Sequence, residues 1–132
     1  MSVPVSLDRL REEAERFGPT AYLLTVGDAG RAHVVSAAWS WEGDELVFRV
    51  GRRTGSNAGA RPLVSVLWPP READGYNLIV DADARLLPAE GDDAPRVALR
   101  PTTAVLHRSA LVAVSAADLA AGACGNDCIP LG

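Results

Sequence analysis

The sequence predicts a mostly β protein, an antiparallel barrel or sandwich that carries only short helices. About five to seven short apolar runs follow one another at hairpin-length distances, which is typical of such folds. The run YNLIVDADARLL at 76–87 alternates apolar and polar side chains almost without fault, which is the period of a half-buried strand. A chain of 132 residues with 48% hydrophobic content can bury one core, so we expect a single domain over 1–132.

The first predicted element is a short amphipathic helix near the beginning of the chain. Ser6 can cap its start, and Gly18 with Pro19 ends it. The apolar residues that recur at helical spacing are Leu7, Leu10, Ala14 and Phe17.

Strands are predicted at 20–26, 32–41, 46–50, 63–68 and 76–87, with one or two more about Pro101 at 96–100 and 103–108. The run 32–41 is the most informative, because its alternation leaves both faces partly apolar. One face carries His33, Val35, Ala37, Trp39 and Trp41, and the other carries Val34, Ser36, Ala38 and Ser40. In 76–87 the side chains expected to point inward are Tyr76, Leu78, Val80, Ala82, Ala84 and Leu86. We expect a second surface, from a ligand or a second copy of the chain, to cover the run 32–41.

The barrel core is expected at about 20–108, and a C-terminal helix and tail at 115–132. Ser115 and Asp118 stand at capping-box spacing, which predicts a short helix to Gly122. Cys124 and Cys128 follow in a glycine-broken segment and are too few for a disulfide framework. They are interpreted as free thiols, with a redox pair or a soft metal clip as the alternatives.

The charge balance excludes several classes of function. A net charge of −4 and a pI near 5.1 argue against a general binder of nucleic acid or of anionic membranes. All 13 basic residues are arginine, so a Schiff base or a lysine general base is excluded. The amino terminus lacks the order of a secretory signal and no apolar run approaches a membrane span, so we expect a cytoplasmic protein.

Positive charge is concentrated in the stretch ELVFRVGRRTGSNAGARP at 45–62, directly after a predicted strand. The residues of interest are Arg52, Arg53, Thr54, Ser56 and Asn57, which lead into a single predicted helical turn at 57–60. A phosphate would meet helix N–H groups, hydroxyl donors and guanidinium forks there, beside glycines that permit close approach. The alternative is a basic surface turn that serves solubility.

The order of elements over 21–107 resembles the pyridoxamine 5′-phosphate oxidase-like family of split β-barrels, which bind FMN or the deazaflavin F420 at a homodimer interface. The most specific part is VFRVGRRTGSNAGARPLVSVLWP at 47–69. The resemblance implies a split antiparallel β-barrel, a homodimer, and FMN or F420 as the cofactor. It assigns Arg52, Arg53 and Thr54 to the cofactor phosphate, with Ser56 and Asn57 as additional donors and Arg49 nearby. It also places Val35, Ser36 and Ala37 along the flavin ring, and Asn77 against the ring of the other subunit.

The chain departs from the true pyridoxamine phosphate oxidases at several positions. Thr54 and Trp39 stand where those enzymes have lysines, and their substrate-binding C-terminal region is missing, although LHR at 106–108 faintly echoes one of their motifs. Oxidation of vitamin B6 is therefore not expected. The resemblance implies an FMN- or F420-dependent oxidoreductase that acts on a small organic substrate. The alternative is a non-catalytic protein that binds a flavin, haem or a phosphorylated metabolite.

The remaining candidates are assigned structural roles. His33 and His107 are the only histidines, and each is interpreted as a partly buried structural imidazole. The sequence has no paired carboxylate and no second histidine at the spacing of metal ligands, so a catalytic zinc is not expected. Trp39, Trp41 and Trp68 could stack on a flavin or fill a core and a dimer interface, and for Trp41 we favour packing.

Overall fold

The computed structural model describes residues 1–89 and 91–109 and contains eight strands and two helices in that part of the chain. The elements are β1 Ser2–Pro4, α1 Leu7–Phe17, β2 Ala21–Val26, β3 Ala32–Ala37, β4 Trp39–Glu42, β5 Glu45–Arg49, α2 Arg52–Ala60, β6 Leu63–Trp68, β7 Asn77–Leu86 and β8 Arg96–His107. All strand pairs are antiparallel, in the order β3-β2-β6-β7-β8-β5-β4, with β1 added on β8. The mostly β split-barrel prediction is confirmed. The predicted helix at 115–122 and both cysteines lie outside the described residues.

The sheet curls because its two ends are consecutive in the sequence. Among the described strands, β3 and β4 are the ends of the strand order, and only Ala38 separates them. One residue spans about 3.5 Å, so the two ends must come together. The prediction of one continuous strand at 32–41 is therefore wrong at Ala38, where the chain leaves β2 and begins to pair with β5. The predicted alternation of half-buried and exposed side chains continues through this break.

The core lies inside the curl and is closed by α1. Its largest fully buried side chains include Leu10, Leu23, Phe48, Val66, Trp68, Leu78, Val80, Val97 and Leu99. Strand β7 buries Leu78, Val80, Ala82 and Ala84, as its alternation predicts. Leu86 is 48% exposed instead of inward, because it lies where β7 ends beside α2.

The beginning of the chain differs from the prediction in two respects. An additional strand, β1, pairs with the end of β8 in the register Ser2 to His107. Ser6 occupies the N-cap position of α1 with extended backbone, but its hydroxyl makes no capping hydrogen bond. Gly18 ends the helix with φ of +85°, a conformation that favours glycine, as predicted.

Strand β8 is continuous across Pro101, so the two predicted segments form one long strand. The register against β7 shifts between Asp81 and Ala82, and Ala82 is opposite Pro101. A proline cannot donate to the ladder, and such irregularities are where strands accommodate it. Over the described part of the chain, neither helix has the length and apolar character needed to cross a membrane.

Candidate functional site

The helix α2 begins at Arg52, five residues earlier than the turn predicted at 57–60. Gly55 and Gly59 lower intrinsic helix propensity, which is why the sequence favours a loop there. In the fold, Gly55 permits close packing, since a Cβ atom at this position would lie 3.2 Å from Cβ of Pro95 and 3.5 Å from Cδ1 of Leu86. Tertiary packing thus overrides the local preference and extends the helix.

The N-terminus of α2 has the properties of an anion site. Gly51 is the N-cap, with extended backbone and no side-chain capping bond, and a Cβ atom there would meet nothing within 4 Å. The first internal hydrogen bond runs from the N–H of Gly55 to the carbonyl of Gly51, at 3.0 Å. The N–H groups of Arg52, Arg53 and Thr54 therefore precede the hydrogen-bonded part of the helix. Together with the helix dipole, these donors fit a phosphate group.

Two side chains of α2 point into the fold. Thr54 is 2% exposed and Asn57 is 5% exposed. The Asn57 Nδ2 group donates to Oγ1 of Thr25 in β2 at 3.2 Å, a buried side-chain contact. The amide that the sequence suggests as a phosphate donor thus has a partner inside the protein. Arg52, Arg53 and Ser56 are exposed.

Two open grooves meet at the start of α2. The first, which we name the strand groove, has a volume of about 580 Å³ and runs between β3 and the first turn of α2. It brings together the predicted residues Val35, Ser36, Ala37, Arg49, Arg52, Arg53 and Thr54. The second, the turn groove, has a volume of about 530 Å³ and lies between α2 and the β2–β3 turn. Arg52, Arg53, Ser56 and Asn57 line it.

Asn77 is the predicted site residue that lines neither groove. It begins β7, and its Nδ2 group donates to the carbonyl of His107 at 3.2 Å. Its predicted contact is with the ring held by another subunit, and that role stays a prediction.

The arginines around the grooves lack partners. Within the described residues, Arg31, Arg52 and Arg53 make no side-chain hydrogen bond and no ion pair, although each lines a groove. Arg61, at the other end of α2, is by contrast fixed by Asp28 at 2.8 Å and by the carbonyl of Val26 at 2.6 Å. The start of α2 is therefore locally positive in a chain of net charge −4.

Sequence reasoning overlooked His33 as a site residue. This half-buried imidazole lies opposite Thr25 in the sheet and lines both grooves. The alternation that puts His33 on the same face as Val35 and Ala37 was the available signal. Ala94 of the β7–β8 loop also lines the strand groove, and nothing in the sequence indicates that this loop reaches it.

The tryptophans lie outside the strand groove. Trp68 is fully buried, and its ring meets that of Trp39 edge to face with centroids 5.3 Å apart. The Arg11 guanidinium lies 5.2 Å from the centroid of the Trp41 ring, which supports the packing interpretation of Trp41. Among residues 1–89 and 91–109, no group of three histidine, cysteine or acidic side chains is arranged to hold a metal ion.

Comparison with known proteins identifies the family and the fold. No family model matches the sequence. Uncharacterized proteins of Mycobacterium bovis and Mycobacterium tuberculosis are each 37% identical over 122 residues, which cover 84% of this chain and 84% of theirs. The chain belongs to the same family as these two proteins.

Solved structures with the same fold include several split barrels. A Listeria innocua protein provisionally assigned as a pyridoxamine 5′-phosphate oxidase superposes with a TM-score of 0.63 at 15% identity, over 78% of this chain and 98% of its own. An FAD-binding protein of Mycobacterium smegmatis superposes with a TM-score of 0.61 at 17% identity, over 82% of this chain and 100% of its own. This protein therefore has the pyridoxamine 5′-phosphate oxidase-like fold, as the sequence resemblance predicted.

Two further split barrels differ in what their names say they do. The haem storage protein HutZ of Vibrio cholerae has a TM-score of 0.57 at 16% identity, over 76% of this chain and 94% of its own. A protein named F420 reductase has a TM-score of 0.55 at 21% identity, over 64% of this chain and 87% of its own. At such low identities these superpositions show the shared fold and no particular activity.

Proposed function

We propose that this split barrel binds FMN or F420 in the strand groove and is an oxidoreductase acting on a small organic substrate. The observation that carries the proposal is the convergence of two features on one groove. Arg52 and Arg53 stand on the first turn of α2, and the small side chains of 35–37 line the same groove from β3. Proteins of this fold whose names specify FAD or F420 support a cofactor of this chemical type.

Each part of the strand groove has a separate task under this proposal. The guanidinium groups and the N–H groups of the first turn of α2 bind the cofactor phosphate. The short side chains of Ser36 and Ala37 allow a flat ring to approach the backbone of β3. When bound, the cofactor supplies the redox chemistry, and the protein orients it and limits its contact with water. A dedicated acid–base pair is therefore not required of the protein.

We also propose that the protein is a homodimer, in which a second copy covers the face of β3 that carries Val34. Large apolar side chains are exposed near β3 and α2, with Val34 54% exposed and Leu63 75% exposed. Val34 is paired with Leu24 of β2, which is half-buried, so apolar side chains lie side by side on this face of the two strands. Light scattering at micromolar concentration tests this proposal, and a monomer would contradict it.

The decisive experiment is the absorbance spectrum and mass of the molecule that co-purifies with the protein. A flavin or deazaflavin spectrum, followed by reduction with NAD(P)H or an F420-reducing system and turnover of a small substrate, supports the proposal. Failure of the purified protein to bind either FMN or F420 at micromolar concentrations contradicts it.

A second candidate, a non-catalytic binding protein, is favoured by one comparison and one residue. The haem storage protein shares the fold, and His33 places an imidazole, a common metal ligand, at the grooves. A haem spectrum in the purified protein would support this candidate. Tight flavin binding with no turnover across a broad substrate panel would also favour it.

A further inference from the structure

Two arginines stand directly opposite each other where β5 meets β8. Arg49 and Arg96 are Cα partners in this antiparallel pair, and side chains of directly opposed residues leave the same face of a sheet. The backbone around them is fixed, since the N–H of Val50 donates to the carbonyl of Pro95 at 2.9 Å and the N–H of Leu87 to that of Arg96 at 2.9 Å. Their Cβ atoms are thus about 5 Å apart, the usual separation of such pairs.

This pair has no countercharge. Within the described residues, neither Arg49 nor Arg96 makes a side-chain hydrogen bond or an ion pair. Like charges directly opposite each other destabilise a sheet. The same sheet neutralises other arginines, because Arg85 contacts Glu45 at 2.7 Å and Arg100 contacts Asp83 at 2.9 Å. A local violation of a rule that the rest of the sheet follows is typical of functional sites.

The pair borders two hollows that share lining residues with the strand groove. Arg49 and Arg96 together line a hollow of about 300 Å³ beside β4 and another of about 180 Å³ beside the β7–β8 loop. Arg49 also lines the strand groove, whereas Arg52 and Arg53 line neither hollow. The pair is therefore adjacent to the proposed phosphate site and distinct from it.

Two carboxylates border the hollows without neutralising the pair. Glu42 lines the larger hollow and Asp93 the smaller one, and both are exposed. Neither forms an ion pair with Arg49 or Arg96 in the described part of the chain. Because both carboxylates are exposed, water weakens their repulsion of an incoming anion.

We propose that Arg49 and Arg96 form a second anion site, which binds a carboxylate or phosphate group of the substrate. Adjacent guanidinium groups match the oxygens of either group, and binding it relieves the repulsion between the two arginines. Arg52, Arg53 and the start of α2 already provide donors for the cofactor phosphate, which leaves this pair for a different anionic group. The inference rests on the proposed function for its assignment to a substrate, and it makes that substrate a small organic anion.

The site is tested with inorganic phosphate, independently of any cofactor. In a variant that carries Arg52→Gln and Arg53→Gln, we expect phosphate still to shift the arginine Nε–H signals in ¹⁵N spectra at low salt. Adding Arg96→Gln or Arg49→Gln should weaken this binding by about fivefold or more, since charge-assisted bonds are lost. Adding Arg9→Gln instead, at an exposed arginine of α1, should leave it unchanged.

The outcomes separate this inference from the proposed function. Loss of all phosphate binding in the Arg52→Gln, Arg53→Gln variant, or binding insensitive to both further substitutions, overturns the second site. Urea denaturation provides a structural control, because removing one of two like charges should not lower the unfolding midpoint.

Cofactor titrations test whether the group bound by Arg49 and Arg96 belongs to the substrate or to the cofactor. We expect Arg96→Gln alone to leave the affinities for FMN and F420 within about twofold of the parent, because the site serves the substrate. A larger loss for either cofactor assigns the second anion to the cofactor and overturns the substrate assignment. If the parent binds neither cofactor, the proposed function and the substrate assignment fail, while the phosphate titration still decides the site.

Discussion

Arg85 and Arg100 of the β7–β8 sheet have carboxylate partners, whereas Arg52 and Arg53 at the start of α2 have none among the described residues. On the sheet, Arg85 and Arg100 are each within 2.9 Å of a carboxylate, and the hydrogen bond that Arg85 donates to Glu45 raises the pKa of Arg85 above its ordinary value. Around α2, Arg52 and Arg53 have no such partner among the described residues. The chain has 17 acidic residues for 13 arginines, so a shortage of carboxylates does not explain the difference. The difference lies in where the fold places each arginine relative to the carboxylates.

The largest expected effect is on cofactor affinity, when the unpaired arginines are removed. Changing Arg52 and Arg53 to alanine should weaken FMN or F420 binding at least tenfold, because charge-assisted hydrogen bonds contribute roughly 1.5–3 kcal/mol each. Titration by fluorescence measures the loss. Riboflavin, which lacks the phosphate, should lose far less affinity than FMN.

The matched control is the same substitution at paired arginines. Changing Arg85 and Arg100 to alanine should leave cofactor affinity at the parent value, because neither residue lines the strand groove. Equal affinities of both double variants and the parent for both phosphorylated cofactors would remove the distinction between the two groups. Arg52 and Arg53 would then be a solvated basic surface.

The next largest effect concerns stability, and it tests whether uncharged side chains hold α2 in place. Asn57→Ala removes the buried partner of the Thr25 hydroxyl, which should lower the free energy of unfolding by about 1–3 kcal/mol. Urea denaturation measures it. Ser56→Ala, at an exposed neighbouring position, is the control. In a cycle with Thr25→Val, additive effects of the two substitutions would show that the hydrogen bond contributes nothing.

A smaller effect is expected from salt. The Debye length falls from about 10 Å at 0.1 M to about 3 Å at 1 M ionic strength, so added sodium chloride should weaken FMN binding several-fold. Riboflavin binding should change little, since its attraction to the grooves does not depend on a phosphate charge. Parallel salt dependence for the two ligands would mean that the unpaired arginines do not act on the phosphate.

The smallest effect is expected from breaking one sheet ion pair. Arg100→Ala removes the contact with Asp83, whose side chain is 38% exposed, and should change the free energy of unfolding by at most about 1 kcal/mol. Thermal or urea unfolding detects such a change. A loss of unfolding free energy well above this range would show that the fold needs its paired arginines. It would strengthen the distinction between them and the unpaired Arg52 and Arg53.

Much of the barrel could be predicted from the alternation of side chains along the strands and from the turn residues. Features that depend on contacts between distant segments could not. The alternation in 76–87 assigned the buried side of β7 correctly from Leu78 to Ala84. The length of α2 was missed because Gly55 and Gly59 oppose a helix locally, and only the packing against Pro95 and Leu86 explains it. The break at Ala38 was not predicted, because the alternation of side chains continues across it.

The candidate site was predictable where its residues are neighbours in sequence. Arg52, Arg53 and Thr54 are consecutive, and so are the residues at 35–37, so both segments could be identified separately. The register that places Arg96 opposite Arg49 joins residues 47 positions apart, and it depends on the whole β7–β8 path. His33 was undervalued because one histidine in a strand carries no signal until the grooves around it are known.

The pairing of β1 with β8 determines when the sheet can be completed. Residues 2–4 bond to residues 105–107, so the earliest strand of the described fold finds its place only after the latest one has been synthesised. Contacts of such sequence separation slow folding, because the intervening chain must be ordered first. Until then the segment 2–4 is without a partner and is open to pairing with other chains. During translation this segment is a point at which nascent copies are vulnerable to aggregation.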